Sequence, residues 1–330
     1  MPTGATAGSR LFPSENSTCR VREALGASSS RYVFVVFIAL LALAASPRPG
    51  WGQGHESRTD SLVIGLAPEE NIFRQVERYT PLVEYLSQKS RIKIRLKVAT
   101  SYGEVIDNLA ASETDGAFLG SFAYILARRK VDIEGLARLE GLDGTSIYHG
   151  VLFVRKAGGI RNAREMRGKR FAFVDRATVA GFILPLVYLW DHGIKDYKTY
   201  FSETYFTGTH EDAIYDVLND KADVGAAKNT VFRRLADRDD RIGRDLIVLT
   251  RSPDMPETAL AVRRSLDPST KAAIREALLR MDSDPVGKGV LKAFGARRFV
   301  PTFDKDYAPL LEYIRPLGLD LQHYNYTSGE

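Results

Sequence analysis

The segment GKRFAFVDRATVAG, residues 168 to 181, indicates a strand that leads into a helix: an apolar run is followed by a polar break and then by an apolar helical pattern. The first N–H groups of a helix lack partners within it and carry partial positive charge, so a helix start can hold an anion. We therefore expect Thr178 and the amides of Val179 and Ala180 to contact an anionic ligand, and small Gly181 to let that ligand approach closely. The alternative is that Thr178 only caps its helix.

The composition is that of an ordinary globular protein, with 44% hydrophobic and 26% charged residues in a chain of 330 residues. This length is sufficient for two domains. The net charge is +5, but residues 1 to 52 contain five arginines against Glu15 and Glu23, so the rest of the chain carries only +2. This charge does not indicate a nucleic-acid partner.

An apolar run from Tyr32 to Ala45 follows several arginines and precedes a segment rich in Gly and Pro. It is short for a membrane span, and its flanks are typical of a secretory signal, so we expect export to the periplasm. Two outcomes remain open, a cleaved signal and an uncleaved membrane anchor. The only cysteine, Cys19, precedes the run and would be lost with a cleaved signal.

Strand and helix patterns alternate from Ser61 onward, which predicts β-α-β units and mainly parallel sheets. A second series begins near Phe171, and Pro185 predicts that the first turn of its helix is kinked or separate from the rest. We expect an α/β chain with two lobes, each a doubly wound sheet with flanking helices. The expected divisions are a leader (1–52), a linker (53–60), lobe 1 (61–150), lobe 2 (151–256) and a return to lobe 1 with C-terminal helices (257–330).

Ligands of open α/β sheets bind beyond the carboxyl ends of the strands. Polar candidates at predicted strand ends are Ser121, Lys228 and Asn229, and Tyr124 follows one helical turn after Ser121. His210 belongs to the first turn of a helix that Thr209 caps, where it can donate to an anion. Each candidate also has an alternative interpretation. Ser121 can be a helix cap and Lys228 a surface lysine, and Tyr124 can be a core residue. His210 can be an exposed residue without a ligand.

No catalytic pattern is present in the sequence. The five histidines show no metal-ligand spacing, and there is neither a nucleophile elbow nor a phosphate loop nor a dinucleotide glycine motif. Polar groups around a cleft in an exported chain with two lobes indicate binding without turnover. We therefore expect no enzymatic activity and no cofactor.

Five segments together resemble the phosphate/phosphite/phosphonate-binding proteins of ABC importers, over about residues 61 to 320. They are VERYTPLVEYLS (76–87), DGAFLGSFAYILA (115–127), GKRFAFVDRATVAG (168–181), GTHEDAIYDVL (208–218) and ADVGAAKNT (222–230). The resemblance implies a type II periplasmic binding fold whose lobes close on an oxyanion and present it to a membrane permease.

Carried over by position, Tyr124 matches the cleft tyrosine of the family, His210 its ligand histidine, and Thr178 with the following amides its phosphonate-binding loop. The resemblance implies three consecutive hydroxyl residues in that loop, as in phosphonate binders of the family. This chain has Thr178, Val179 and Ala180 instead. Phosphate, phosphite and phosphonates all remain candidate ligands.

The leading hypothesis is a monomeric solute receptor that delivers a small oxyanion to an ABC permease in the inner membrane. The alternative is an exported sensing domain that reports to a membrane signalling protein. A permease gene and an ATPase gene beside this one would favour import, and a kinase gene alone would favour sensing.

Overall fold

A computed structural model describes residues 61–327. The predicted leader, the predicted linker and Cys19 lie outside these described residues. Each strand label below is followed by its bounds: β1 (Ser61–Leu66), β2 (Lys93–Val98), β3 (Gly116–Leu119), β4 (Ile133–Gly141), β5 (Ile147–Tyr148), β6 (Gly150–Arg155), β7 (Arg170–Phe173), β8 (Glu203–Phe206), β9 (Val224–Lys228), β10 (Leu246–Arg251), β11 (Met255–Pro256), β12 (Ala259–Arg263) and β13 (Ala296–Val300).

Helices connect most of these strands and cover the faces of the sheets. Their bounds are α1 (Ile72–Ser90), α2 (Tyr102–Ala110), α3 (Ser121–Lys130), α4 (Leu184–Asp191), α5 (Tyr197–Tyr200), α6 (His210–Leu218), α7 (Asn229–Ala236), α8 (Asp240–Asp245), α9 (Pro268–Leu279), α10 (Pro285–Phe294) and α11 (Ala308–Ile314).

Two sheets form two lobes, as the sequence predicts. The first has the order β13-β4-β12-β3-β1-β2, and the second has the order β10-β6-β9-β7-β8. The chain passes between the lobes beside the short antiparallel pair β5–β11. The α/β fold class and the division into two lobes are therefore confirmed.

The strand directions differ from the mainly parallel sheets that the β-α-β pattern predicts. Strands β1, β2 and β3 pair in parallel, as do β8, β7 and β9. The other pairs, which involve β4, β6, β10, β12 and β13, are antiparallel. Each sheet is mixed because β6 and β12, which follow the passages between the lobes with no helix before them, run opposite to both of their neighbours.

Local sequence explains several of the helix starts. Asn71 caps α1 by accepting from the amides of Phe73 and Arg74, and Thr209 caps α6 by accepting from the amide of Asp212. These side-chain oxygens satisfy N–H groups that have no partner inside the helix. The helices that follow β1 and β8 are thereby held with their N-termini near the strand ends.

A continuous apolar core passes from one lobe to the other. It includes Tyr102 and Phe122 from lobe 1, and Phe173 and Val179 from lobe 2. A second cluster lies within lobe 1 and a third lies within lobe 2. The surface where the lobes meet is therefore largely apolar, and the few polar side chains buried there stand out.

Candidate functional site

A small cavity lies between the lobes, at the carboxyl ends of the six strands that pair in parallel. Each of these ends contributes to its wall. The contributing residues are Glu69 after β1, Tyr102 after β2, Gly120 and Ser121 after β3, Ala177 to Ala180 after β7, His210 after β8, and Lys228 at the end of β9. We call this space the inner cavity. It lies where ligands of open α/β sheets are bound.

The loop after β7 brings a helix start to the inner cavity. Residues Val179–Ile183 form a π-helical turn in which the amide of Ile183 donates to the carbonyl of Thr178 over 3.2 Å, and α4 follows directly. This agrees with the separate first turn that Pro185 predicts. Amides at the start of such a turn have no partner within the helix and carry partial positive charge.

The Thr178 side chain does not cap its helix as the alternative interpretation expects, and its role as a ligand contact stays a prediction. Its hydroxyl donates to the carbonyl of Asp175 over 2.6 Å, and it makes no capping hydrogen bond to the helix. Its hydrogen is therefore used within the loop, and the oxygen is left as an acceptor. In this arrangement the loop offers an anion its backbone amides as donors.

Gly181 is small for a reason of packing. A Cβ atom at this position would lie 2.3 Å from the Cβ of Val174 and 2.8 Å from the Thr178 hydroxyl oxygen. The helix start therefore packs closely against the end of β7, the strand that precedes it. Close contact between helix and strand is a separate reason for glycine here, and the approach of a ligand to Gly181 stays a prediction.

His210 is a buried donor with a defined tautomer. Only 3% of the residue is exposed, and its Nδ1 atom accepts a hydrogen bond of 3.3 Å from the backbone amide of Lys228. Because that amide can only donate, Nδ1 is unprotonated and Nε2 carries the hydrogen. Burial lowers the pKa of His210 to about 3, so the ring is neutral at physiological pH.

Tyr102 is a second donor, which the sequence interpretation missed. The residue is 4% exposed, and its hydroxyl has no hydrogen-bond partner among the described residues. Burial raises its pKa well above the usual value, so it stays protonated. A buried hydroxyl without a partner costs free energy, and a ligand acceptor in the inner cavity would remove that cost.

Lys228 and Glu69 form a charged wall of the inner cavity. The Lys228 ammonium lies 3.3 Å from a Glu69 carboxylate oxygen and 2.9 Å from the Thr258 hydroxyl, and it pairs with Glu257 as well. It also lies over the ring of Tyr148, 4.7 Å from the centroid. Burial disfavours the ammonium, but the two carboxylates outweigh it and raise its pKa.

Two of the predicted site residues lie away from the inner cavity. The hydroxyl of Tyr124 donates to Asp304 over 2.6 Å, and its ring stacks on Tyr307 at 4.2 Å between centroids. Asn229 exchanges hydrogen bonds of 3.0 Å with the backbone of His149. Neither residue lines the cavity, because the side chain of Tyr124 extends toward the C-terminal segment and that of Asn229 holds β6 in place.

The remaining predicted residues line the inner cavity, although with different roles. The Ser121 hydroxyl donates to the carbonyl of Pro256 over 2.6 Å, so it can only accept from a ligand. Val179 and Ala180 contribute apolar atoms and backbone. Ala180 also packs closely on β6, since a Cβ atom at Gly150 would lie 2.8 Å from its Cα.

A larger groove, of about 350 Å³, lies on the other side of the Lys228–Glu69 pair. Its wall includes Arg78 and Arg234, which are 2.9 and 3.3 Å from the two carboxylate oxygens of Glu70. The inner cavity itself has a volume of only about 20 Å³, roughly the space of one water molecule. An oxyanion in the inner cavity therefore requires some separation of the lobes.

The expectation that ligands bind beyond the carboxyl ends of the strands identifies most residues in the wall of the inner cavity. It also applies to Tyr102. Tyr102 follows the carboxyl end of β2, as Ser121 follows that of β3. Glu69 follows the carboxyl end of β1 in the same way, and the sequence interpretation gave it no role. No local sequence pattern predicts the contacts of Glu257 and Thr258 with Lys228, because these residues are remote from Lys228 in the chain.

Within residues 61–327, no group of His, Cys, Asp and Glu is arranged to hold a metal ion. In the same range, no helix combines the length and the apolar character needed to cross a membrane.

Several known proteins are similar to this chain in sequence. Residues 64–307 match the model of the family described as "ABC transporter, phosphonate, periplasmic substrate-binding protein". The chain is 23% identical over 283 residues to the phosphonates-binding periplasmic protein of Escherichia coli K12, covering 84% of this chain and 81% of that protein. It is 25% identical over 247 residues to the phosphate-import protein PhnD of Mycolicibacterium smegmatis, covering 70% and 75%.

A solved structure of PhnD1 from Prochlorococcus marinus in complex with methylphosphonate has the same fold. The TM-score is 0.70 at 18% identity, and the match covers 78% of this chain and 98% of that one. The fold, the inner cavity and the family match over most of the described residues agree. This chain belongs to the family of periplasmic substrate-binding proteins of phosphonate ABC transporters, a family of transport components and not of enzymes.

Proposed function

We propose that this protein is the receptor of an ABC importer and binds a tetrahedral phosphorus oxyanion in the inner cavity. Phosphate, phosphite and methylphosphonate are the candidate ligands. The names of the relatives support this class, since they are described as binding or importing phosphonates and phosphate. The partner is an inner-membrane permease, and the receptor acts as a monomer.

The observation that carries the proposal is the set of hydrogen-bond donors around the inner cavity. The Tyr102 hydroxyl has no partner, the neutral His210 ring carries its hydrogen on Nε2, and the helix start at Val179 supplies amides. Oxyanions accept such hydrogen bonds strongly. The missing hydroxyls at Val179 and Ala180 leave these three groups as the main donors.

The first test compares two tyrosines. Tyr102→Phe removes a donor that faces the inner cavity, whereas the matched control Tyr124→Phe removes a hydroxyl that is bonded to Asp304. A hydrogen bond to a charged acceptor contributes about 1.5 to 3 kcal/mol, so Tyr102→Phe should weaken binding by roughly 10- to 150-fold. Tyr124→Phe should change affinity by less than about threefold.

Calorimetry with phosphate, phosphite and methylphosphonate gives the affinities, and circular dichroism confirms that each variant is folded. A larger loss in Tyr124→Phe than in Tyr102→Phe would return the role of ligand tyrosine to Tyr124. A parent protein that binds none of the three ligands would contradict the proposed ligand class.

A second test introduces charge at the helix start. Thr178→Asp places a carboxylate where the ligand charge should lie, so repulsion replaces the favourable partial charge of the helix. Binding of all three ligands should fall below detection. A Thr178→Asp protein that binds as tightly as the parent would show that the ligand lies elsewhere.

The import role and the route of export need tests in cells. Deletion of the gene should abolish uptake of the ligand that calorimetry identifies, whereas a sensing domain would leave the transport step itself intact. We also propose that the leader directs export and is removed between about residues 45 and 60. N-terminal sequencing of protein from the periplasmic fraction decides between cleavage and a retained anchor.

A further inference from the structure

A carboxylate lines the inner cavity beside the donors. Among the described residues of its wall, Glu69 is the only acid and Lys228 is the only Lys or Arg. The backbone of Glu69 is held on both sides, because its amide donates to the Gln75 side chain over 3.0 Å and its carbonyl accepts from the His210 amide over 3.0 Å. The backbone that carries the carboxylate is therefore fixed in the wall.

Glu69 is ionised at any physiological pH. Burial opposes ionisation, but the positive charges of Lys228, Arg78 and Arg234 outweigh it and hold the pKa of Glu69 below its usual value. The other titratable groups that face it are His210, Glu257 and the tyrosines Tyr79, Tyr102 and Tyr148. His210 is neutral above a pKa of about 3, and burial raises the pKa of each tyrosine.

The single positive charge of Lys228 is not available to the Glu69 carboxylate alone. One ammonium is shared between Glu69 and Glu257, and only one oxygen of Glu69 contacts Lys228 and Thr258. The Glu69 side chain lines both the inner cavity and the larger groove. An anion that enters the inner cavity must therefore meet an ionised acceptor as well as the donors.

We propose that Glu69 restricts the inner cavity to oxyanions that carry an acidic hydrogen, which they donate to its carboxylate, and that it excludes sulfate. This rests on the proposed function and names its ligand class more closely. Hydrogen phosphate and hydrogen phosphonates have an O–H group to donate. Sulfate is fully deprotonated at neutral pH, so its oxygens would face the carboxylate with no hydrogen between them.

Repulsion between two unprotonated oxygens in a buried site is costly, and sites that require a ligand O–H can reject an analogue without it by about 10⁴-fold. The wall of the inner cavity is only partly exposed to water, with 12% of the Glu69 side chain accessible. We expect the parent protein to bind inorganic phosphate at least about 100-fold more tightly than sulfate at about pH 7.

The main experiment is calorimetry with phosphate and sulfate on the parent and two matched variants. Glu69→Gln replaces an acceptor oxygen by an N–H donor, so sulfate should bind within about tenfold of phosphate. Glu257→Gln removes the same charge beside the same ammonium, but Glu257 does not line the inner cavity. Glu257→Gln should still discriminate against sulfate by at least about tenfold.

A second measurement follows ligand affinity against pH in the parent and in Glu69→Gln. Between about pH 6 and about pH 9, methylphosphonate loses its last acidic hydrogen whereas phosphate keeps one, and the pKa values of Glu69 and His210 lie far below this range. Methylphosphonate affinity should fall by about tenfold per pH unit above its second pKa, and phosphate affinity should fall much less. The fall should be absent in Glu69→Gln.

The outcomes separate the two proposals. A parent that binds phosphate and sulfate within tenfold of each other, or methylphosphonate equally well across this pH range, overturns the role of Glu69 and leaves the proposed function standing. A parent that binds no phosphorus oxyanion overturns the proposed function. Selective gain of sulfate binding in Glu69→Gln, but not in Glu257→Gln, supports the proposal.

Discussion

At the scale of single residues, burial decides which protonation state a side chain presents. His210 follows a polar turn at a helix start, a place where histidine is commonly exposed and titrates near neutral pH. Here the ring is 3% exposed, and its Nδ1 atom is engaged by the Lys228 amide. Its pKa falls to about 3, so the site uses a neutral imidazole.

This depressed pKa makes stability depend on pH. The unfolded chain binds a proton at His210 near pH 6.5 and the folded protein does not, so the stability from the neutral ring is present above pH 6.5 and is lost as pH falls toward 3. Between about pH 7.5 and about pH 5.5, the parent should lose about 1 kcal/mol more unfolding free energy than His210→Gln.

Urea denaturation at both pH values measures this difference. The control is His323→Gln, since the side chain of His323 is 82% exposed. That variant should show the same pH dependence as the parent. Equal pH dependence in the parent and in His210→Gln would mean that the ring is not buried in its neutral form.

At the scale of elements, the segment that starts at Val179 is defined by its contact with two strands. Gly181 packs against Val174 at the end of β7, and Ala180 packs against Gly150 of β6. These close approaches hold the helix start at the mouth of the inner cavity. The π-helical turn brings the chain to Pro185, which needs no amide hydrogen bond there.

We expect Gly181→Ala to destabilise the protein. The added methyl group would lie 2.3 Å from the Val174 Cβ, and overpacking of this kind costs about 1 to 3 kcal/mol. The matched control is Gly243→Ala in α8, where a Cβ meets no atom within 4 Å and alanine favours the helix by about 0.5 to 1 kcal/mol.

Chemical denaturation distinguishes the two variants. Gly181→Ala should lower the midpoint, and Gly243→Ala should leave it unchanged or raise it. A Gly181→Ala protein as stable as the parent would show that the helix start can move away from β7, and its ligand affinity would then report on how rigid the loop must be.

At the scale of the whole molecule, charged groups join the lobes around the cleft. Glu70 of lobe 1 pairs with Arg234 of lobe 2, and Glu211 of lobe 2 pairs with Arg74 and accepts from the Asn71 amide over 2.8 Å. These contacts favour lobes that lie together. Because the inner cavity has only about 20 Å³ of free space, entry of an oxyanion has to be coupled to movement of the lobes.

Glu211→Gln should shift the population toward a more open form. It removes a charge pair between the lobes without altering the wall of the inner cavity. A partly exposed pair contributes about 1 kcal/mol, so closure becomes less favourable and ligand affinity should fall by roughly fivefold. The radius of gyration without ligand should exceed that of the parent, and methylphosphonate should reduce it.

Small-angle scattering and calorimetry on the same samples test this. The control is Glu312→Gln, which removes an exposed pair with Arg315 inside one lobe and should change neither the radius nor the affinity. If Glu211→Gln has the scattering profile and the affinity of the parent, the pair does not influence the equilibrium between open and closed forms.

The sequence by itself determined the α/β class, the two lobes and the family, because hydrophobic periodicity and capping residues act over short stretches of chain. The rule of strand ends also brought His210, Lys228, Ser121 and the loop at Thr178 to one cavity. Their local order was sufficient, because strands that pair in parallel end at the same edge of the sheet.

Tertiary structure alone decided which tyrosine faces the cavity and what charge the site carries. Tyr124 points to Asp304, 180 residues away in the sequence, whereas Tyr102 faces the inner cavity without a partner. Glu69 and Lys228 meet across 159 residues. Burial and charge pairing depend on distances between elements that are remote in the chain, and no local pattern contains those distances.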